Sequence, residues 1–580
     1  MSLLERIDAE GEDQQVEQGK RLIRVDDLGI GLAERLAYRL QRLAWRMPFS
    51  NMRFRPRAPL KLLAVPKDPV AGDKAVGEAL LHGRLVYGAE SAAAETLDFA
   101  DPALSPAFSD YLQSFAWLRD LAAAATREKG ARLAEKIARH WLDTYSLRPD
   151  EHAWRPDLWG RRILFWTAYA PYILSSRDMV YRATLLNTLA RGARHLENNA
   201  DKAPAGLPRI NAWAGVIASA MVVQGGPARL SHGETGFARA LLATLHDDGG
   251  LVSRSPVDQL GLVETLGQLR ALYYSGRREM PERLQDALSG SVAALLAVTL
   301  GDEALSSWQG GNMLTRRRLA AAVEASGVHS RPLRQARGWG YQRLAAKNSI
   351  VVFDGAPPPA IRAFAGGCAS TLAFEFSDGA DRLVVNCGGV GPWSGTLPAE
   401  LAHLLRYTAA HSTLTLGDRN STAILQDGTL GRGVSQVELS RDETAGIGRV
   451  EASHDGYVRR FGLIHERQLI LAGDGQELRG EDNLLPRGRR RKRSEPVPFA
   501  IRFHLGPAVE TATTADGQGA LLRVRGGGAW QFRCRGGTLA IEDSLWLDGA
   551  GVPRNTAQLV VSGETPPTGM NIAWQFRRAG

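Results

Sequence analysis

The sequence predicts an α+β multidomain chain, a helical half followed by an antiparallel β half, and three observations carry that prediction. The chain has 580 residues, too many for one hydrophobic core, so at least two domains are expected. Its hydrophobic content of 44% and charged content of 23% are those of an ordinary globular chain, which excludes disorder as the main state and a polytopic membrane protein. Near residue 330 the hydrophobic period changes from that of a helix to that of a strand.

The first 27 residues are polar and mixed in charge, with no apolar core and no cleavage motif, so no export signal is expected and residues 1–27 read as a polar tail. Residues 28–49 read as an amphipathic helix, with Leu32, Leu36, Leu40 and Leu43 on one side and Arg35, Arg39, Arg42 and Arg46 on the other. That pattern reads first as a surface helix packed on its own domain, with a peripheral contact with an anionic membrane as the alternative. By sequence the chain is expected in the cytoplasm or at a membrane surface.

Residues 28–330 form the helical domain. Apolar residues recur at helical spacing over 111–126, 131–142, 161–174, 178–196, 211–223, 234–246, 257–274 and 281–300, separated by turn signals such as Asp248-Gly249-Gly250. Segment 211–223 is apolar nearly all round, which marks a helix inside a multilayer domain. So many helices without a fixed repeat suggest a toroid or solenoid of helical hairpins.

Residues 331–580 form the β domain. Strands are expected at 349–354, 371–377, 382–387, 411–416, 462–472, 477–482, 499–504, 521–525, 529–534 and 538–546, with one helix at 398–407. Short strands with polar turns are the pattern of an antiparallel sandwich. A basic loop at 485–498 carries six basic residues among the seven positions 487–493. Prolines flank it and no aromatic residue interleaves for base stacking, so it reads as a solvated connection and no nucleic-acid partner is expected.

Net charge is +9, which suits an anionic partner. Three cysteines, Cys368, Cys387 and Cys534, form no CxxC pair and no disulfide framework. GxSxG, Walker A, HExxH and a strand-following GxGxxG are all absent. Three clusters remain. Arg209, Asn211 and Trp213 stand at the opening of the most buried helix, where an oxyanion could be received; Asn211 could instead be a plain N-cap. Arg254, in the loop 247–256, could clamp a carboxylate, or that loop could simply start the next helix. Cys368, Asn386 and His411 lie at expected strand ends, with Tyr341 as a wall residue; they could approach a metal, or be an ordinary buried thiol, amide and imidazole. The dipeptide Asp455-Gly456 reads as a hairpin turn.

Several strings together resemble the heparinase II/III-like family of polysaccharide lyases. In the helical half these are YLQSFAWLRDLAA, AWRPDLWGRRI and DDGGLVSRSP. In the β half they are GYQRLAAKNSIVVFDGAPPP, CASTLAFEFSDGADRLVVNCGG, YTAAHSTLTLGDRNS, HDGYVRRFGLIHERQLIL and AIRFHLGP. The resemblance implies an N-terminal incomplete (α/α) toroid, a C-terminal antiparallel β-sandwich, a substrate cleft between them, and a place in the cell envelope or periplasm. It implies β-elimination on a uronate-containing, anionic polysaccharide, which needs no nucleotide cofactor, or glycan binding without catalysis in envelope or exopolysaccharide assembly. Asn211 falls at the carboxylate-neutralising position, and Arg254, His411 and Tyr341 are the further catalytic candidates. Arg209, Trp213, Asp258 and Arg406 are expected to bind substrate beside them. Ala212 stands where a His often follows the Asn, and Asp258 or a neighbour stands where the catalytic Tyr is expected. Of the family's structural zinc ligands the resemblance leaves His411, with Cys368 and Asn386 at the other two positions, so no metal is expected.

Overall fold

The computed structural model describes residues 16, 19–25, 61–147, 150–223, 226–311, 316–360, 366–389, 397–487 and 495–579. The amphipathic segment 28–49 and most of the basic run 487–493 lie outside the described residues. No helix among those described is long and apolar enough to cross a membrane.

The helical half contains α1 (Lys74–Leu81), α2 (Pro106–Ser114), α3 (Trp117–Ala124), α4 (Arg127–Tyr145), α5 (Pro156–Ala168), α6 (Ala170–Ile173), α7 (Met179–Asn199), α8 (Leu207–Val222), α9 (Gly226–Leu242), α10 (Pro256–Ser275), α11 (Glu282–Ala297) and α12 (Arg316–Ser326). Their starts follow local chemistry. Ser105 caps α2 and Asp178 caps α7, while Ser255 caps α10 just ahead of Pro256. The expected continuous helix at 111–126 is broken. Phe115 sits at φ 64°, buried against Trp117, Trp141 and Trp166, and tertiary packing of that ring outweighs the helical pattern around it.

Glycine sets how closely the inner helices approach. A Cβ on Gly160 of α5 would sit 1.9 Å from the Asn211 carbonyl oxygen of α8, and one on Gly215 would sit 2.4 Å from the Gly160 Cα. A Cβ on Gly261 of α10 would lie 2.7 Å from Leu207, and Thr265 bonds to Asn211. Both chains advance together along this contact, so α8 and α10 run in the same direction. One hairpin, β2 (Arg84–Tyr87) with β3 (Glu90–Ala93), lies among the helices.

The β half contains β4 (Tyr341–Ala346), β5 (Ser349–Asp354), β6 (Phe374–Asp378), β7 (Asp381–Val385), β8 (Leu414–Leu416), β9 (Gln436–Thr444), β10 (Ile447–His454), β11 (Leu463–Leu471), β12 (Glu477–Pro486), β13 (Val497–Leu505), β14 (Val509–Thr513), β15 (Gly519–Val524), β16 (Ala529–Arg535), β17 (Thr538–Leu547), β18 (Pro553–Thr565) and β19 (Met570–Ala579). Among the described residues these form two antiparallel sheets, one ordered β1 (Gly19–Arg24), β9, β10, β11, β12, β19, β16, β15, β14 and the other β17-β18-β13-β7-β6-β5-β4, with β8 on β13. Their facing sides share one core, in which Phe503 meets Trp574 at 4.8 Å and Phe376 meets Phe576 at 6.3 Å between ring centres. β11 alternates buried and half-buried residues, whereas β5 and β6 are buried throughout, because the sheet they belong to is covered on its second face by the helical half.

The first strand, β1 (Gly19–Arg24), corrects the reading of residues 1–27 as a tail: it pairs antiparallel with β9, placing Arg21 opposite Leu439. Backbone pairing alone suffices to hold an edge strand that buries little side-chain surface. Asp455-Gly456 is also not a two-residue hairpin turn. Asp455 accepts hydrogen bonds from Ser435 and Gln436, and a helical turn, Val458–Phe461, completes the connection to β11.

The halves are joined by a shared core. Trp308, Trp339, Tyr341, Ile350 and Val352 belong to the apolar cluster of the helices. Arg382 of β7 forks onto Asp302 at 2.7 and 3.1 Å, adding a charged clasp at the same seam.

Candidate functional site

On the helical side, Asn211 is the fifth residue of α8 rather than its N-cap; Gly206 occupies the cap, at φ 93°. Asn211 is 7% exposed, and its Oδ1 lies 2.9 Å from Thr265 Oγ1, which also reaches the Gly261 carbonyl. One hydroxyl hydrogen serves that contact. The other end of the Asn211 amide has no protein partner among the described residues. Arg209 and Trp213 do not share this role: Arg209 donates back to the Ala203 carbonyl, and the Trp213 indole donates to Asp201 at 3.0 Å.

On α5, which packs against α8 at Asn211, the sequence reading missed Arg161. It follows Gly160, the residue against the Asn211 carbonyl, and it is half-buried over the Phe165 ring at 5.9 Å. Burial lowers its pKa, while Tyr87, Glu264 and Asp110 act the other way. Among the described residues it makes no hydrogen bond or ion pair. Its neighbour Arg162 is the contrast, fully buried between Trp141 and Trp159 and donating to the Gln113 and Ala153 carbonyls. Around Arg161 the charges are fixed: Arg119 bonds Asp68 at 2.9 Å and Glu264 at 3.2 Å, and Arg318 lies 3.6 Å from Glu264. Burial works to raise the Glu264 pKa, yet Arg119, Arg318 and Arg161 outweigh it and keep the carboxylate charged. The only sequence signal was two adjacent arginines in an otherwise apolar helix.

At the seam, Arg254 stands at φ 55° and is 4% exposed. It donates to the Trp339 carbonyl at 2.8 Å, the Pro357 carbonyl at 2.8 Å and Asp354 at 2.6 Å, and lies over the Tyr341 ring at 4.7 Å. The carboxylate it clamps therefore belongs to its own chain. Tyr341 is 1% exposed, donates its hydroxyl to the Arg254 carbonyl at 2.8 Å, and burial raises its pKa further. From Asp354 the network continues through Ser370 and Gln309 to the Cys368 backbone N–H. Structure thus joins Arg254, Tyr341 and Cys368, with His411 close enough to feel the Asp354 charge.

His411 is buried, with Nδ1 at 2.8 Å from the Tyr407 carbonyl, and burial pushes its pKa down to about 4. Arg406 donates to the Gly367 and Gly428 carbonyls. Asn386 uses both ends of its amide, receiving the Ser412 N–H and donating to Ser307 and Glu375. Burial holds the Cys368 thiol up at about 11. A spent amide and a neutral thiol make a poor donor set for zinc, and no metal-holding group of His, Cys, Asp and Glu occurs among the described residues.

Asp258, in the first turn of α10, is half-buried; burial pushes its carboxyl up to about 6 against a hydrogen bond with Ser253. Asp258 and Thr265 are seven residues apart on one helix, which places them on one face about 10 Å apart. That same face meets Asn211. Arg254, by contrast, precedes α10 and lies about 14 Å or more from Thr265 along the helix axis. Two groups therefore exist: Asn211 with Arg161 and Asp258 on the inner helices, and the Arg254–Tyr341–His411 group at the seam.

Residues 328–575 match the family model described as heparinase II/III-like, C-terminal. FtsZ-localized protein C of Caulobacter vibrioides is 30% identical over 535 residues, covering 90% of this chain and 91% of that protein. Among solved structures, heparinase III superposes with a TM-score of 0.69 at 13% identity, covering 90% of this chain and 88% of that one. A heparan sulfate lyase of Pedobacter heparinus gives 0.54 at 15% identity, with 94% and 88% covered. These two likenesses concern the fold, a helical domain joined to antiparallel sheets. With a relative matched along nine-tenths of its length and the β half matched by the model, the chain belongs to the heparinase II/III-like family.

Proposed function

We propose that the chain is a polysaccharide lyase-like protein that binds an acidic, uronate-containing glycan along the inner helices without eliminating it. The packing of parallel inner helices and two facing sheets fits the incomplete toroid and sandwich that the resemblance implies, with the glycan lying against the toroid. The observation that carries the reading is the Asn211 amide, bonded at one end only, on a helix packed at Gly160 against the one that carries Arg161, a cation with no ion pair among the described residues; an amide donor and a guanidinium on these two helices suit a uronate carboxylate. The Tyr and His that the resemblance offers as acid and base are not free to serve it: Tyr341 and His411 are buried at the seam and already bonded. Positioned acid–base residues contribute about 10²–10⁴-fold each, so their loss turns an enzyme into a binder. The Caulobacter relative's name, FtsZ-localized protein C, supports placing this binding at the division site within envelope assembly.

The test uses purified full-length protein with alginate, heparan and glucuronan. Saturable binding without growth of the unsaturated-uronate absorbance is expected; no binding to any of the three refutes the proposal. A fluorescent fusion that fails to coincide with FtsZ refutes the placement alone.

One observation favours a second reading. Asp258, with its carboxyl near 6, stands where the resemblance expects the catalytic Tyr, on the helix face that meets Asn211. A carboxylate of that basicity suits removal of the C5 proton while Asn211 and Arg161 stabilise the developing negative charge. Product formation abolished by Asp258→Asn would replace the binding reading with this one.

A further inference from the structure

The outer face of the nine-stranded sheet carries none of the glycan-site residues. Register decides which side chains stand on it. Val437, Leu439, Leu522 and Phe576 point into the sandwich core, while Glu438, Glu481, Arg523 and Arg577 alternate with such residues and are exposed on the other side. Charge on this face is segregated. Glu438 of β9 and Glu466 of β11 flank Ser453 in one row, and Glu481 of β12 stands in the next. Arg577 of β19, Arg535 of β16 and Arg523 of β15 follow on the far side of the sheet.

Other charges on the face are settled within the chain. Arg449 pairs with Glu451 at 2.8 Å, Arg479 with Glu477 at 2.6 Å and Arg533 with Asp516 at 2.7 Å. The three carboxylates and three guanidinium groups above form no ion pair among the described residues; Glu466 and Glu481 accept only side-chain amides, from Asn483 and Asn571. One cation, Lys20 of β1, borders the acids. One carboxylate, Glu510 of β14, stands opposite Arg523 and pairs with Arg525 at 3.5 Å. The two sides therefore stay matched in number and opposite in sign.

A surface with equal and opposite charge at separate ends is complementary to a second copy of itself. A two-fold axis lying between two such faces, and passing between the patches, sets the carboxylates of each copy over the guanidinium groups of the other. Close approach at the centre is open, because the small Ala573 stands between Glu481 and Arg535 in one row. Six strand spacings from β9 to β15 cover about 29 Å, and the charged rows run along β19 from Asn571 to Ala579, about 27 Å. Each copy thus offers about 800 Å², the share of one partner in an interface of standard size.

We propose that this outer face is an interface between two copies of the chain, closed by reciprocal ion pairs of Glu438, Glu466 and Glu481 with Arg523, Arg535 and Arg577. Exposed pairs are individually weak, so the association depends on all of them together and is reversible and salt-sensitive. The helical half takes no part in it, and its inner helices stay open in both copies.

Sedimentation velocity of the full chain tests this. At about 100 μM protein a dimer is expected in about 50 mM salt and a monomer in about 500 mM, where the Debye length is about 4 Å. Two double variants carry the decision, Arg535→Glu with Arg577→Glu and Glu438→Arg with Glu481→Arg. All four side chains are exposed, so each variant should unfold at the parent temperature. Each alone should be monomeric, because like charge then meets like across the axis. Mixed in equal amounts they should dimerise again, since the acidic patches of one variant meet basic patches of the other. A parent that is monomeric in low salt overturns the proposal, as do variants that still dimerise alone or a mixture that does not recover. A parent that gains mass only when an acidic glycan is added also overturns it, since the arginines then serve the glycan. Should a double variant fail to fold, Arg535→Glu and Glu481→Arg alone and mixed replace it. Asn211 and Arg161 do not enter, so the result is independent of whether the glycan reading holds.

Discussion

Arg254 Nη2 lies 2.6 Å from Asp354 Oδ1, with both side chains buried, and this pair ties the loop before α10 to the end of β5. The guanidinium also holds the Trp339 and Pro357 carbonyls, so one side chain spans the seam between the halves. Removing one partner of a buried pair leaves the other charge uncompensated. Arg254→Met should therefore cost about 3–5 kcal/mol. Arg254→Lys should recover only part, because an ammonium cannot reproduce the fork. Thermal unfolding followed by circular dichroism decides it: a Met variant that melts within a degree or so of the parent removes the pair from the stability account.

Arg161 and Asn211 predict the opposite pattern. Arg161→Ala removes a cation with no ion-pair partner among the described residues, and Asn211→Ala removes an amide held at one end only. Each should lower affinity for an acidic glycan by about tenfold or more, as expected for a charge-assisted hydrogen bond, while changing stability by about 1 kcal/mol. Affinity measured by glycan titration alongside unfolding temperature separates the two effects. Large stability loss with unchanged affinity would make these residues structural.

Gly160 should be intolerant of any side chain. An added Cβ would meet the Asn211 carbonyl oxygen at 1.9 Å and the Ala212 Cα at 2.9 Å, which are backbone atoms of a buried helix. Gly160→Ala must push α5 away from α8, at a cost of about 3 kcal/mol or more. It should also displace Asn211 and so weaken glycan binding further than its stability loss explains. A variant with parent-like melting and binding would show that the helices part easily.

These residues also show what sequence makes visible. β5 was readable to its ends, Ser349 and Asp354, because an apolar β-branched run between turn signals has few alternatives. β9 and β10 were not, since segments such as QVELSRDET carry charges on the outward face and even inward at Arg441, which is buried by pairing with carbonyls far away in sequence. The same limit applies to the site. Asn211 stood out by resemblance, yet Arg161 and Arg162 are indistinguishable as letters. Only packing spends one on carbonyls between tryptophans and leaves the other over Phe165 with no ion pair among the described residues.

Buried histidines predict the pH dependence. Burial holds His195 and His411 down at about 4 and His504 at about 3, and also lowers His454 and His465. Each stays neutral in the fold where an unfolded histidine, near 6.5, takes up a proton. Raised carboxyls oppose them: burial lifts Asp258 to about 6 and Glu375 to about 7, and also raises Asp110, Asp120 and Asp381, so the fold keeps protons that the unfolded chain has lost. Between about pH 6 and 5 the lowered histidines, His152 and His246 included, outnumber the raised carboxyls, so the unfolded chain binds more protons than the fold. A larger proton count in the unfolded state makes stability fall as pH falls, by about 1.4 kcal/mol per unit for each net proton. The loss sets in as pH drops through about 6.5 and the contribution is fully present above it. His411→Gln, which keeps a donor for the Tyr407 carbonyl, should remove one of these protons and flatten the decline by about 1.4 kcal/mol per unit. Unfolding free energies at about pH 7.5, 6 and 5, on either side of the histidine pKa, measure both slopes. Stability that is level or rises on acidification would mean that these imidazoles are charged inside the fold.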